Sequence, residues 1–548
     1  MRRRKLFDKQ PRTAPSSSTW LLLAPSLLLA LPVHAAGQTA DSATNSTANS
    51  AYVQRVLSIQ HQIETHDLAG ARASIVSTLQ KYPADGGLEN LLGIVDIEDG
   101  DTKAARQDFS AAIRHDPRLA GAMLNLARID MQTASSDAAA RSEALGLDEK
   151  ALQLEPHNDE ANYQIATLLA WQKSYGRSIE HLQRLSPQAR TEVGAEALLC
   201  TDAASLGDRS STDSAAAALA TNPAFTEQDV TSCLPALRTA HRADLIDALL
   251  TAVSQRQPLS AAGERILGLA QEAEGKLSLA RATLEKAFTA DDQSVPILVD
   301  LTRVAKTAGD NQGALGYLAH ARQLDPQDAS LPYEFGAICL RMGLYGEARK
   351  ALEEAVRLDP QNPTYNFGLG TVISYSEDPS QAIPYLQKYH SLRPQDPDGL
   401  LALGETSFRA KDYESAIPWL KQAAARPRTA DEAHFYLGRI AREEGHLDEA
   451  TAELNLSLSL HPDQPNVLAE IGQICVGNQN YPQATTYLQR ALHLDPDNYG
   501  ANFGLLQLYA RTGDPRRDAQ SKRFDQIRQK QEDQQRQMMR VIEIRPGG

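Results

Sequence analysis

Cysteine and aromatic residues are scarce in this chain of 548 residues. It has four cysteines, Cys200, Cys233, Cys339 and Cys475, and aromatic side chains make up 5% of the sequence. The cysteines form no C-x-x-C pair and no other spacing typical of zinc ligands, so we expect no metal site. Because large rings are few while alanine and leucine are abundant, the composition favours closely packed helices over a β-sandwich.

Sequence signatures of catalysis are also missing. The chain contains no H-E-x-x-H, no G-x-S-x-G and no phosphate-binding G-x-x-x-x-G-K motif. His434 and the paired carboxylates Glu353 and Glu354 fall in predicted helices, where packing or solvation accounts for them. The sequence therefore predicts a protein that is not an enzyme and that needs no cofactor. A catalytic site hidden in residues 188–260 stays open as an alternative.

The charge balance is acidic, with a formal net charge of -14. Basic residues are concentrated near the N-terminus, so the rest of the chain is more acidic still. Such a body repels phosphate backbones, and we therefore expect no nucleic-acid partner.

The first 35 residues have the three parts of a secretory signal. A basic start at Arg2–Lys5 precedes an apolar run over residues 20–33, and Val33-His34-Ala35 has the small residues that a signal peptidase recognises. We expect cleavage near Ala35 or Ala36 and a periplasmic or extracellular location. An uncleaved membrane anchor is the alternative, and it is the only membrane contact that we expect. Residues 36–50, which are polar and without a period, predict a disordered linker.

A period of 34 residues runs through the C-terminal half. Prolines recur at this spacing, small residues lie 24 positions before them, and alanines lie 12 positions before them. The prolines are Pro326, Pro360, Pro394, Pro462 and Pro496, the glycines Gly336, Gly370, Gly404, Gly438 and Gly472, and the alanines Ala348, Ala382, Ala416, Ala450 and Ala484. Apolar residues at three- and four-residue steps on both sides of a polar turn predict two amphipathic helices per unit. Proline ends the second helix, and stacked neighbours bury a continuous core.

These units resemble the tetratricopeptide repeat, a helix-turn-helix of 34 residues. The resemblance implies an all-α, right-handed superhelical solenoid whose first helices line a concave groove that holds a peptide. We expect roughly thirteen units and a final capping pair. The boundaries are residues 51–187 for an N-terminal array, 188–260 for degenerate helical repeats, 261–530 for a C-terminal array with a capping helix, and 531–548 for a tail.

In this frame, aromatic and arginine side chains face the groove at recurrent offsets. They are Tyr333, Arg341, Phe367, Tyr375, Phe408, Arg409, Phe435, Arg439, Arg442, Phe503 and Arg511. Rings offer apolar area and arginine pairs with carboxylates, so the set suits an extended peptide. The alternative is that the rings pack between repeats and the arginines are solvated. Aromatics occupy the offset at which family members use lysine to clamp a C-terminal carboxylate, which argues against a chaperone-tail adaptor.

Cys200 and Cys233 lie about one repeat apart, so a disulfide between neighbouring helices is a possible pairing. The alternative is that all four cysteines are small buried apolar residues.

Two functional hypotheses remain. The first is a non-catalytic protein-binding scaffold of the cell envelope or periplasm that holds partner proteins or peptides in its groove. The second is a membrane-tethered accessory subunit of an envelope-assembly, secretion or polysaccharide-export machine.

Overall fold

The computed structural model describes residues 42–376 and 378–538. The predicted signal peptide, residues 1–35, lies outside the described residues. Within them the chain is built of helices in tandem pairs and contains no β-strand, which confirms the predicted all-α solenoid of helix-turn-helix repeats. In this part of the chain, no helix is both long enough and apolar enough to cross a bilayer.

The chain forms two compact units, the first ending at Thr283 and the second beginning at Leu284. The helices of the first unit are α1 (Ser42–Glu64), α2 (Leu68–Leu79), α3 (Gly86–Glu98), α4 (Thr102–His115), α5 (Ala120–Ala134), α6 (Ala138–Leu154), α7 (Asp159–Trp171), α8 (Tyr175–Leu182), α9 (Pro187–Arg190), α10 (Val193–Leu206), α11 (Arg209–Thr221), α12 (Glu227–Thr239), α13 (Ala243–Ser254) and α14 (Ala261–Ala273). The boundary falls within α15 (Leu277–Ala290).

The second unit continues with the same alternation. Its helices are α16 (Val295–Thr307), α17 (Asn311–Leu324), α18 (Ser330–Arg341), α19 (Tyr345–Leu358), α20 (Pro363–Ser374), a short 3-10 helix (Pro379–Ala382), α21 (Ile383–Leu392), α22 (Pro397–Arg409), α23 (Tyr413–Ala424), α24 (Ala430–Glu443), α25 (Leu447–Leu460), α26 (Pro465–Gly477), α27 (Tyr481–Leu494), α28 (Tyr499–Thr512) and α29 (Arg517–Met538). Apart from the short α9, the described α-helices make thirteen successive pairs and the final pair α28/α29, as the repeat period predicts.

Many turns inside a pair combine a left-handed residue with a capping side chain. Gly309, with φ of 80°, ends α16, and the Asp310 carboxylate then accepts a hydrogen bond from the Gly313 amide at 2.8 Å. Lys411 has the same left-handed backbone at φ 59°, and Asp412 caps α23. Such a residue stops the first helix, and the cap satisfies a free amide of the second.

The small residues of the repeat frame are where paired helices touch. An added Cβ at Gly404 would lie 2.5 Å from Leu420, and one at Gly370 would lie 2.6 Å from Leu386. Gly438 and Gly472 face Leu454 and Leu488 in the same way. Leu420 and Leu386 are fully buried and cannot easily move aside. The small residue that recurs at this position of the repeat therefore reflects a steric requirement.

The predicted linker and tail are more helical than expected. Helix α1 begins at Ser42, so residues 42–50 lie in a helix and not in a disordered linker. No proline or glycine interrupts these residues, and Val56 and Ile59 anchor the same helix in the core. At the other end α29 continues to Met538 through residues of high helix propensity, which puts the start of the predicted tail in a helix.

The degenerate segment, residues 188–260, contains two further helix pairs, α10/α11 and α12/α13. Helix α10 packs on α8 before the segment, and α13 packs on α14 after it. Phe225, Leu237 and Leu249 belong to one core cluster that continues into α14. The segment therefore continues the stack of helices, although its sequence departs from the repeat pattern.

Candidate functional site

In the second unit, the first helix of each pair contacts the first helix of the next pair through aromatic and charged side chains. We call the surface formed by these side chains the first-helix face. Its members are Tyr333 on α18, Tyr365 and Phe367 on α20, Tyr375 at the end of α20, Glu405, Phe408 and Arg409 on α22, Glu432, Phe435, Tyr436, Arg439 and Arg442 on α24, and Glu470 and Gln473 on α26. The predicted site residues Tyr375 through Arg442 are therefore neighbours in the fold.

Tyr375 is the exposed aromatic side chain of this face, with 57% of its surface accessible. The Arg409 guanidinium carbon lies 4.2 Å from its ring centroid. Its hydroxyl donates to Glu405 Oε1 at 3.3 Å, and burial, together with the Glu405 charge, raises the pKa of Tyr375. The ring is thus held in place by two neighbours while much of it stays open to a ligand.

Arg409 already has a carboxylate partner. Its Nε and Nη2 both donate to Glu405 Oε1, at 3.0 Å and 2.8 Å. Glu405 also interacts with Tyr436, and burial first, then the Glu405 charge, raises the pKa of that tyrosine. An arginine so engaged is a support for the Tyr375 ring and not a free cation.

Arg439 and Arg442 are engaged in the same manner. The Arg439 guanidinium lies 4.7 Å from the Phe408 ring centroid, and its Nε is 3.3 Å from Glu470 Oε1. Arg442 pairs with Glu470 and donates to Gln473 at 3.1 Å. Burial raises the pKa of Glu470, and the two arginines oppose that shift. The predicted role of these arginines as receptors for a ligand's carboxylate is therefore weakened, because Glu470 occupies them.

Most of the predicted groove rings pack against other rings or core clusters, within a repeat or between repeats. The Tyr333 and Tyr365 rings lie 4.9 Å apart, and the Phe367 and Tyr389 rings 4.7 Å apart. Phe408 is buried, and Phe435 packs against two core clusters. These rings therefore pack beneath the first-helix face and contribute little of its accessible surface.

Two predicted residues at the end of the array serve the fold. The Phe503 ring is 5.4 Å from Phe524 of the last helix, so α29 covers it. Arg511 Nη1 donates to the Val476 carbonyl at 2.9 Å, at the C-terminus of α26. The remaining predicted residue, Arg341, is exposed at the last position of α18.

One carboxylate of the face, Glu432, has other acids nearby. Glu432 is exposed, and its pKa is raised by burial of part of the side chain and by the charges of Glu405, Asp431 and Asp398. Of these, Asp398 pairs with Arg428 at 2.5 Å and Glu405 pairs with Arg409. A cation beside Glu432 would offset these like charges.

Glu405, Glu432 and Glu470 were not predicted as site residues from the sequence. The Glu405–Arg409 pair has the i, i+4 spacing of a helical ion pair and could have been found. The Arg442–Glu470 contact joins two repeats, and no spacing rule predicts it. His434 Nδ1 lies 2.5 Å from Glu453 of α25, which is a contact within its own helix pair. Among the described residues, no three or more His, Cys, Asp or Glu side chains are grouped to hold a metal ion.

Two family models, both described as the tetratricopeptide repeat, match residues within the second unit. One matches residues 305–366 and 407–474, and the other residues 367–431 and 470–521. No curated protein matches the chain in sequence.

Several solved structures are similar to the chain at low identity. The Cut9–Hcn1 hetero-tetramer of the APC/C is 14% identical, covers 85% of this chain and 99% of its own, and has a TM-score of 0.34. The C-terminal part of a repeat protein from Cytophaga hutchinsonii is 16% identical over 44% of this chain and 98% of its own, with a TM-score of 0.38. YrrB, described as having an unusual peptide-binding site, is 22% identical over 40% of this chain and 95% of its own, with a TM-score of 0.25.

Proposed function

Because this chain is a tetratricopeptide-repeat protein, a family of protein-interaction scaffolds, we propose that its second unit binds an extended polypeptide of a partner protein along the first-helix face. The observation that carries the proposal is Tyr375, a large ring that is 57% exposed yet held by Arg409 and Glu405. A ring fixed before binding loses little conformational freedom when a ligand covers it, so its apolar area contributes to affinity. We propose that the scaffold has no catalytic activity.

The charges of the face favour a basic segment. Arg409, Arg439 and Arg442 are paired with carboxylates of the same face, whereas Glu432 is crowded by other acids. A lysine or arginine of the partner would reduce that repulsion, and apolar residues beside it would cover Tyr375.

The variant Tyr375→Ala tests this proposal. Random peptides displayed on phage are selected on the full wild-type chain, and the dissociation constants of the selected peptides are then measured by fluorescence anisotropy. We expect the selected peptides to be enriched in lysine and arginine, and Tyr375→Ala to weaken their binding roughly tenfold or more, because a central ring is removed.

Leu460→Ala is the matched control for this experiment. Leu460 is 55% exposed in the same unit but lies on α25, a second helix. Its replacement removes a similar apolar area outside the first-helix face, so affinity should stay the same. Equal losses in both variants, or none with Tyr375→Ala, would remove the first-helix face as the binding surface.

We propose that the scaffold acts in the periplasm or outside the cell. The basic start at Arg2–Lys5, the apolar run over residues 20–33 and the small residues before Ala36 support export. The tethered accessory subunit is the second candidate, because the same apolar run could remain as an anchor.

Mass spectrometry of the N-terminus of the protein from its native host separates these two candidates. We expect the mature chain to begin near Ala36 or Gly37 and to fractionate with soluble exported proteins. An N-terminus at Met1 or Arg2 in the membrane fraction would instead support the tethered subunit.

A further inference from the structure

Cys200 and Cys233 are neighbours in the degenerate segment of the first unit. Cys200 lies on α10 and Cys233 on α12, which are the first helices of successive pairs and pack against each other. Both side chains are fully buried in one core cluster. Cys233 Sγ is 3.7 Å from the carbonyl oxygen of Ala197, one helical turn before Cys200. Both cysteines are free thiols in this structure, so the pairing considered from the sequence stays a prediction.

We propose that Cys200 and Cys233 are a disulfide site that joins α10 to α12 when the chain folds in the presence of a disulfide oxidant. The two side chains come from helices that pack against each other, and both belong to one buried apolar cluster. Cys339 and Cys475 lie on α18 and α26, which are not successive first helices, so they do not form an equivalent pair.

The bond forms by two successive thiol–disulfide exchanges. The thiolate is the nucleophile in disulfide exchange. One of the two cysteines, as a thiolate, attacks one sulfur of the oxidant and releases its other half as a thiol. The second cysteine, after losing its proton, attacks the protein sulfur of this mixed disulfide and releases the second thiol.

The oxidant is a low-molecular-weight or protein disulfide, which takes up two electrons and two protons and is converted to two thiols. Because both cysteines have no accessible surface once folded, the exchange takes place while the chain folds or opens locally. After folding, the bond is shielded from external thiols.

The position of the site gives the bond a structural role. Segment 188–260 departs from the repeat pattern that holds the other pairs together, and a cross-link there closes a loop of roughly 30 residues in the unfolded chain. The reduced conformational freedom of the unfolded state stabilises the stack where the repeat pattern is weak.

The test starts with the full denatured chain, refolded in a mixture of reduced and oxidised glutathione and then quenched with acid. The protein is alkylated under denaturing conditions without reduction and analysed by mass spectrometry. We expect alkylation of Cys339 and Cys475 together with a linked peptide that contains Cys200 and Cys233. Alkylation of all four cysteines would overturn the proposal.

A second measurement uses the variant Cys339→Ala/Cys475→Ala, which leaves the proposed pair intact. Its oxidised form should contain no free thiol. A reductant present during heating should lower the temperature of its first melting transition by roughly 5–10 °C. The variant Cys200→Ala/Cys233→Ala should melt at the same temperature with and without reductant. A wild-type melting temperature that reductant does not change would also contradict the proposal.

Discussion

Replacing Asp202 by asparagine should stabilise the first unit by roughly 3–4 kcal/mol at pH 8 and by less than half of that at pH 5. Asp202 lies on α10 with no accessible surface. Its carboxylate oxygens make no well-formed hydrogen bond, although Ser178 of α8 lies beside it. Burial raises the pKa of this carboxyl from its usual 3.8 to about 7, and the Ser178 hydroxyl opposes part of the shift.

The direction of this pH dependence follows from proton binding to Asp202 in the folded and the unfolded chain. Between pH 3.8 and about 7 the unfolded chain has an ionised Asp202, whereas the folded chain retains the proton. The free energy of unfolding therefore falls as the pH rises through this window, and it is lowest above pH 7. Asparagine does not titrate, so the variant lacks this loss of stability.

Asp108 also lowers the free energy of unfolding as the pH rises, because burial and the Asp96 carboxylate raise its pKa to about 7. The pKa of Asp148 is raised well above 3.8 by burial. His181 opposes them below pH 6.5, since burial lowers its pKa. A comparison of Asp202→Asn with wild type at each pH cancels these other groups.

Differential scanning calorimetry of the full chain at pH 5 and pH 8 measures the effect on the first unit. Glu192→Gln is the matched control, because Glu192 is an exposed carboxylate at the start of α10, the helix that carries Asp202. This control should change the melting temperature of the first unit only slightly, and by the same amount at both pH values. Parallel pH profiles for wild type and Asp202→Asn would show that Asp202 is ionised in the folded chain at neutral pH.

The second large effect is expected from a pair of glycine substitutions in the second unit. Gly404→Ala should destabilise the unit, while Gly316→Ala should stabilise it, and the two should differ by about 2–3 kcal/mol. Both glycines are in helices and gain about 1 kcal/mol of helix propensity as alanine. An added Cβ at Gly404 meets Leu420 Cδ2 at 2.5 Å, whereas one at Gly316 meets nothing within 4 Å.

Leu420 cannot move away easily, because it has no accessible surface and lies in the core beside Phe408 and Tyr436. The contact is with its Cγ as well as its methyl group, so rotation about χ2 alone does not remove it. Calorimetry and amide hydrogen exchange of α22 and α23 check the result. A gain of stability in both variants would mean that the pair α22/α23 adjusts its spacing at little cost.

Local packing rules were readable from the sequence. The period of 34 residues, glycines such as Gly370 and Gly404, and the prolines that follow most pairs predicted the helix pairs and their number. Each of these residues acts on its own backbone or on the adjacent helix. The positions of Tyr375 and Arg409 on one face followed from the same period. The helix over residues 42–50 was not predicted. Their polar composition does not show that residues later in the same helix are anchored in the core.

The all-α repeat architecture that the scarcity of aromatics first indicated was thus determined by the sequence itself, because repeat units interact mainly with their nearest neighbours. Tertiary structure alone decided which predicted site residues are accessible. It placed Phe503 under α29, paired Arg439 and Arg442 with Glu470, and left Tyr375 open. These outcomes depend on side-chain contacts between residues far apart in the chain and on the burial of charge, and a periodic pattern contains neither.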